Sequence, residues 1–179
     1  MIASAIPPHD TGLASQSAFQ PGRCGVVAGA VLRAARTSAR MTEACLAAAI
    51  GLAEETVRAW EDGTHSLADL PAPQLEHLKS VLTDAGAEPA IVADLDTAAW
   101  CDLVILAAAS SDDCTHLLAD PITCEKAFGD LLTWALTGPV PARYRRYAST
   151  EPLIADPGLA EQITAVLGSI RPDLLPRRA

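Results

Sequence analysis

Aromatic residues are scarce in this 179-residue chain, which holds three Trp, two Tyr and two Phe. Sheets draw on aromatic and β-branched side chains, so this scarcity beside abundant alanine favours helices. Long apolar runs are missing as well. No stretch approaches the roughly 18 consecutive apolar residues of a membrane span, so none is expected. The first residues lack a basic segment followed by an apolar one, so no secretory leader is expected either. Five cysteines make an odd count without regular spacing. That fits reduced thiols in a cytoplasmic protein better than a disulfide framework. No Gly-rich phosphate loop, Ser-His-Asp set or Cys-His pairing stands out, so the chain is not expected to be an enzyme and needs no cofactor.

What is present suits a helical protein of one domain or two small ones. Half of the residues are hydrophobic, enough for a sizeable core. The net charge is −9 and its placement matters. Residues 1–22 hold one acid, Asp10, and no base. Residues 23–63 hold five Arg and five acids. Residues 64–139 hold two Lys against twelve acids, and residues 140–179 hold six Arg against four acids. The acidity therefore belongs to the middle of the chain. An acidic companion unit turned away from DNA is partly screened beyond about 8 Å.

The stretch from Leu32 to Gly63, LRAARTSARMTEACLAAAIGLAEETVRAWEDG, organises the rest. Thr42 is suited to cap a short helix through its hydroxyl. Leu46, Ala47 and Ile50 make one apolar stripe. Gly51 stands where a left-handed residue ends that helix, and Leu52 is expected to fill the corner. A second helix is expected from about Glu54, with Val57 and Trp60 packing back on the first. Ala47 is small where two steeply crossed helices approach. Two helices joined by a short turn containing Gly make a helix-turn-helix.

The run Leu32-Arg33-x-x-Arg36, Met41-Thr42, Leu46-Ala47, Ile50-Gly51-Leu52, Thr56-Val57 and Trp60-Glu61-x-Gly63 resembles the phage-repressor-like (Xre) DNA-binding domain. The resemblance covers about a third of the chain, Arg23 to about Gly86. It implies a lambda-repressor-like fold binding double-stranded DNA, with the second helix of the motif in the major groove. Carried over by position, the groove-facing set is Ala53, Glu54, Glu55, Thr56, Arg58 and Ala59. Thr42 and Glu43 open the preceding helix, whose N–H groups are expected near a phosphate. The resemblance also implies that Arg36 pairs with Glu61, fixing helix orientation. Arg33 and Arg40 are candidates for phosphate contact, a solvated surface being the plain alternative for Arg33. Two positions depart from the family pattern. Gln is frequent where this chain has Glu43, and Ser or Thr where it has Ala53. A carboxylate at Glu43 repels a phosphate, and Ala53 forgoes a side-chain cap worth ~1 kcal/mol. Glu54 and Glu55 offset part of this by favouring the helix dipole, and a Glu can accept from cytosine N4.

Around the motif, residues 1–22 read as a flexible tail, with His9 solvated rather than a ligand. After the THSLADLPAP loop, which carries His65, Gln74–Ala85 is expected to form the closing helix. Gly86 and Pro89 mark the expected boundary between a DNA-binding domain, 23–88, and a second helical domain, 89–179. Ala90–Ala109 is expected as one long helix, although DLVILAAA alone equally suits a buried strand. Cys124, Phe128, Leu131, Leu132 and Ala135 make a further helical stripe ending at Gly138, and Leu159–Ile170 makes another.

Cys101, Cys114, His116 and Cys124 lack the C-x-x-C spacing of structural zinc sites, so no metal is expected. Asp112, Asp113 and Asp120 suit caps or a solvated loop. Arg143, Arg145 and Arg146, interleaved with Tyr144 and Tyr147, form the densest basic patch. They suit phosphate contacts, an acidic face of another subunit, or a solvated loop.

The expectation is an all-α cytoplasmic transcriptional regulator, binding a two-fold symmetric operator as a homodimer, with the second domain serving dimerisation or sensing. The acids at Glu43, Glu54 and Glu55 leave a second possibility open, a repressor-like domain turned to protein interaction with a basic partner. An enzymatic role rests only on the uninterpreted second half.

Overall fold

The computed structural model describes residues 25–110 and 115–174. The expectations for His9, Asp112, Asp113, Cys114 and the tail 1–22 lie outside those residues. Among the described residues there are α-helices and short 3-10 turns and no strand, so the protein is all-α. The helices are α1 (Val26–Ser38), α2 (Glu43–Ile50), α3 (Glu54–Glu61), α4 (Ala72–Asp84), α5 (Pro89–Ala93), α6 (Leu95–Ala109), α7 (Thr115–Leu118), α8 (Lys126–Thr137) and α9 (Pro157–Ile170). None is long and apolar enough to cross a membrane.

The centre of the fold is α1. Val27, Ala28, Val31, Leu32, Ala34 and Ala35 bury nearly its whole circumference, leaving Arg33 and Thr37 outside. A helix apolar on most sides must be enclosed by neighbours. Helix α6 supplies the most extensive packing on it, with α3, α5 and α8 on other sides. One continuous core therefore joins Leu46, Val57 and Leu82 to Ala98, Leu131 and Leu167. At the position expected to divide two domains, Glu88, Pro89 and Ala90 are exposed, while Ala87 and Ile91 on either side of them belong to this core.

Two contacts set α1 in place. Its N-terminus begins after Gly25, which has no side chain to cap the exposed N–H groups. The carboxylate of Asp102, on α6, accepts from the N–H groups of Val27 and Ala28, each at 2.9 Å. A residue 75 positions away thus does what a local Ser or Asp ordinarily does. On its α3 side, α1 presents Gly29. A Cβ there would sit 2.2 Å from the Trp60 carbonyl oxygen and 2.9 Å from that of Glu61. The two backbones can touch at this crossing only because the side chain is missing.

Several sequence expectations shift in detail. The stretch Ala90–Ala109 is helical but breaks at Asp94 into α5 and α6. Asp94 is buried at the break, where it accepts from the Tyr144 hydroxyl and pairs with Arg143 Nε at 2.6 Å. The closing helix α4 begins two residues earlier than expected, at Ala72, because Pro71 and Pro73 are tolerated before and inside a first turn. Cys124 lies in an exposed 3-10 turn ahead of α8 rather than on its buried stripe, whereas Phe128, Leu131, Leu132 and Ala135 are buried. Gly138 ends α8 with φ of 94°, and Asp120 caps a 3-10 turn by accepting from Ile122 N–H at 2.9 Å.

Two outcomes follow for the frame. Gly29→Ala pushes α3 off α1 and should cost about 1–3 kcal/mol, read from urea unfolding. Burial pushes the Asp102 carboxyl from 3.8 up to about 7 against the pull of its two N–H donors. Between those values the fold holds a proton that the unfolded chain has released. Asp102's contribution to stability is therefore full below about pH 4 and is lost as pH rises through about 7. Unfolding free energies across that range should fall more steeply for the native protein than for Asp102→Asn.

Candidate nucleic-acid interface

The α2–turn–α3 unit is built from local signals. Thr42 adopts an extended backbone, and its hydroxyl accepts from Cys45 N–H at 3.1 Å, opening α2. At the other end Gly51 has φ of 71°. Leu52 N–H donates to Ala47 at 2.9 Å and Gly51 N–H to Ala48 at 3.3 Å, the paired bonds of a Schellman motif. Only glycine takes that φ without strain. Leu46, Ala47, Val57 and Trp60 are buried between α2, α3 and α1, and Ile50 is half-buried. Leu52, expected to fill the corner, instead remains 44% exposed. The reversed backbone at Gly51 already closes the corner, so Leu52 projects past it.

Behind α3 lies the ion pair that the family resemblance implied. Arg36 Nε donates to Glu61 Oε1 at 2.6 Å and Arg36 Nη2 to Oε2 at 2.7 Å. The Glu61 side chain is 0% exposed and that of Arg36 12%. Arg36 Nη1 also donates to the Met41 carbonyl at 2.9 Å, tying the α1–α2 link to the same guanidinium. Hydrogen bonding to the carboxylate raises the Arg36 pKa above its ordinary value.

The remaining residues expected at the interface divide by their partners. Arg33 joins the buried pair, donating to Glu61 Oε2 and the Glu61 carbonyl at 3.2 Å each and to Asp62 Oδ1 at 2.8 Å. Its charge is committed at the far end of α3. Arg58 bridges the two helices, 3.2 Å from Glu43 and 2.5 Å from Glu54. Glu43 is also 3.7 Å from Arg36, so the acid expected to repel a phosphate is neutralised by two arginines. Ala53 caps α3 with no side-chain hydrogen bond. Ala53, Glu55 and Arg58 are exposed, while Glu54, Thr56 and Ala59 are half-buried on the flanks.

Arg40 is different. It is exposed and pairs with no acid among the described residues. It also has φ of 57°, the only such value at a described residue other than glycine. Met41 N–H donates to Arg36 and Arg40 N–H to Thr37, so Arg40 stands where a Schellman motif wants glycine. A non-glycine residue there costs about 1–2 kcal/mol.

Other groups singled out in the sequence do not assemble. Cys101 is fully buried, and burial pushes its thiol up. His116 and Cys124 are exposed, and no cluster of potential metal ligands occurs among the described residues. Tyr144 is buried and stacked on Trp134 with centroids 5.3 Å apart, and Arg143 lies over its ring. Of the basic stretch, only Arg145 and Arg146 remain outward.

Three features escaped sequence reading. The Asp102 cap had one faint signal, the want of any Ser, Thr, Asp or Asn just before Val26. The Arg58–Glu43 bridge joins helices whose relative angle no spacing encodes. The strained Arg40 follows from the lack of glycine between α1 and α2. Comparison with known proteins returns no matching family model, no matching curated protein and no matching solved structure.

Breaking the buried pair should show directly in stability. Glu61→Ala strands Arg36 and Arg33 at the α1–α3 crossing and should cost about 3–5 kcal/mol in urea unfolding. Asp62→Ala, which removes an exposed partner of Arg33, should cost no more than about 1 kcal/mol.

Proposed function

We propose that this protein is a DNA-binding transcriptional regulator whose α2–turn–α3 unit is a helix-turn-helix of the phage-repressor type, acting as a homodimer in the cytoplasm. The observation that carries the reading is the two-sided character of α3. Its inner side, Val57, Trp60 and Glu61, is anchored to α1 and α2, while Ala53, Glu55 and Arg58 face solvent from its N-terminal turns outward. A helix held rigidly from behind with its first turns presented is what major-groove insertion requires. Thr56 and Arg58 supply the polar base contacts.

Electrostatics decide how such a unit binds. Of four arginines between residues 25 and 63, Arg33 and Arg36 serve Glu61, and Arg58 is shared by Glu43 and Glu54. The Arg58 pairs are exposed and so weak, roughly 0–1 kcal/mol each, which lets the guanidinium exchange a carboxylate for a phosphate or a base edge. Arg40 needs no exchange. That a strained position carries arginine instead of glycine supports a phosphate contact there, since such strain persists where function repays it.

A second reading is favoured by the same acids. With Glu55 exposed and Arg58 engaged by two carboxylates, the outer side of α3 suits a basic protein partner as well as DNA. Binding to genomic duplex fragments separates the two. For DNA, affinity falls with salt along a shallow slope set by few phosphate contacts. Glu43→Gln releases Arg58 and tightens duplex binding. Arg40→Gly raises the melting temperature yet weakens binding several-fold, the reverse of what a structural role gives. A folded protein that ignores every duplex at low salt, with Glu43→Gln unchanged in this respect, fits the protein-partner reading instead.

A further inference from the structure

At the side of the fold formed by α8 and α9 runs a groove of about 360 Å³, at the lower end of the range for small-ligand sites. Its walls are apolar, built by Leu136, Ile154 and Ala160 among others, and its polar margin is formed by Thr137, Thr164 and Glu161. The walls are pinned rather than incidental. Ile154 N–H donates to the Ala135 carbonyl at 3.1 Å, fastening the connecting loop along α8. Gly138 turns the chain at φ of 94°, with Pro152 Cδ 3.3 Å from where its Cβ would be. Asp156 caps α9 by accepting from the N–H groups of Gly158 and Leu159 at 2.9 and 3.3 Å. Loop and both helices therefore hold the groove open in one shape.

The margin offers more acceptors than donors, the Thr133 hydroxyl being its one lining group with a proton to give. The Thr137 hydroxyl spends its proton on the Thr133 carbonyl and the Thr164 hydroxyl on that of Ala160, at 2.7 Å each, so both oxygens turn lone pairs outward. Glu161 adds a carboxylate that pairs with no base among the described residues, and no Lys or Arg lines the groove. An apolar body with a positively charged donor at one end complements these walls and the Glu161 carboxylate. We propose that the α8–α9 groove binds a small cationic amphiphile, an alkylamine in chemical class, with its ammonium at Glu161 and its chain along Leu136, Ile154 and Ala160.

The test uses the full chain without nucleic acid, so its outcome is independent of whether DNA is bound. Titration of n-hexylamine, hexan-1-ol and hexanoate, followed by NMR shifts or calorimetry, compares one apolar body with three head groups. The amine should bind roughly fivefold more tightly than the alcohol, the scale of one exposed ion pair, and hexanoate more weakly than either. Glu161→Gln, an exposed change, should bring the amine to the level of the alcohol, and Ala160→Trp should abolish both while the melting curve stays cooperative. Equal binding of amine and alcohol, indifference to Glu161→Gln, or no binding by a folded protein at millimolar ligand would each overturn the proposal.

Discussion

A carboxylate sealed from water is the constraint on which the rest of the structure turns. Glu61 brings a full negative charge to the α1–α3 crossing, and burial there is tolerable only because Arg36 grips both of its oxygens and Arg33 adds a third contact. The same Arg36 holds the Met41 carbonyl, so the route from α1 into α2 is fixed by the charge that fixes α3. The close crossing at Gly29 and the ion pair reinforce each other. Each is satisfied at one helix separation only.

The central helix is held from its other end by a second buried carboxylate. Asp102 caps α1 from α6, making the second half of the chain a structural partner of the first rather than an appendage. The short helix α5 and the packing of α8 on α1 extend that coupling.

Placement of charge matters more here than its total. The chain is acidic overall, but its acids near α3 are largely matched by arginines, and Arg40, unmatched among the described residues, occupies a backbone position that costs energy to keep. Counting charges along the motif gives neutrality. It does not tell a committed guanidinium from an uncommitted one, and that distinction governs what the surface can attract.

Local chemistry in the sequence determined most helices and the ends of α2 and α8. Thr42 as cap, Gly51 as left-handed terminator and the apolar stripes of α2, α3, α8 and α9 rest on short-range periodicity, whereas the meeting of Arg36 with Glu61 was implied only by the resemblance of the whole Leu32–Gly63 run. Tertiary structure alone decided the rest: the break at Asp94, the exposure of Leu52, the commitment of Arg33 and Arg58, the cap from Asp102 and the union of both halves in one core. The physical reason is range. Helix propensity and capping act within four residues along the chain, whereas a buried charge finds its partner through space, wherever packing brings a donor within reach.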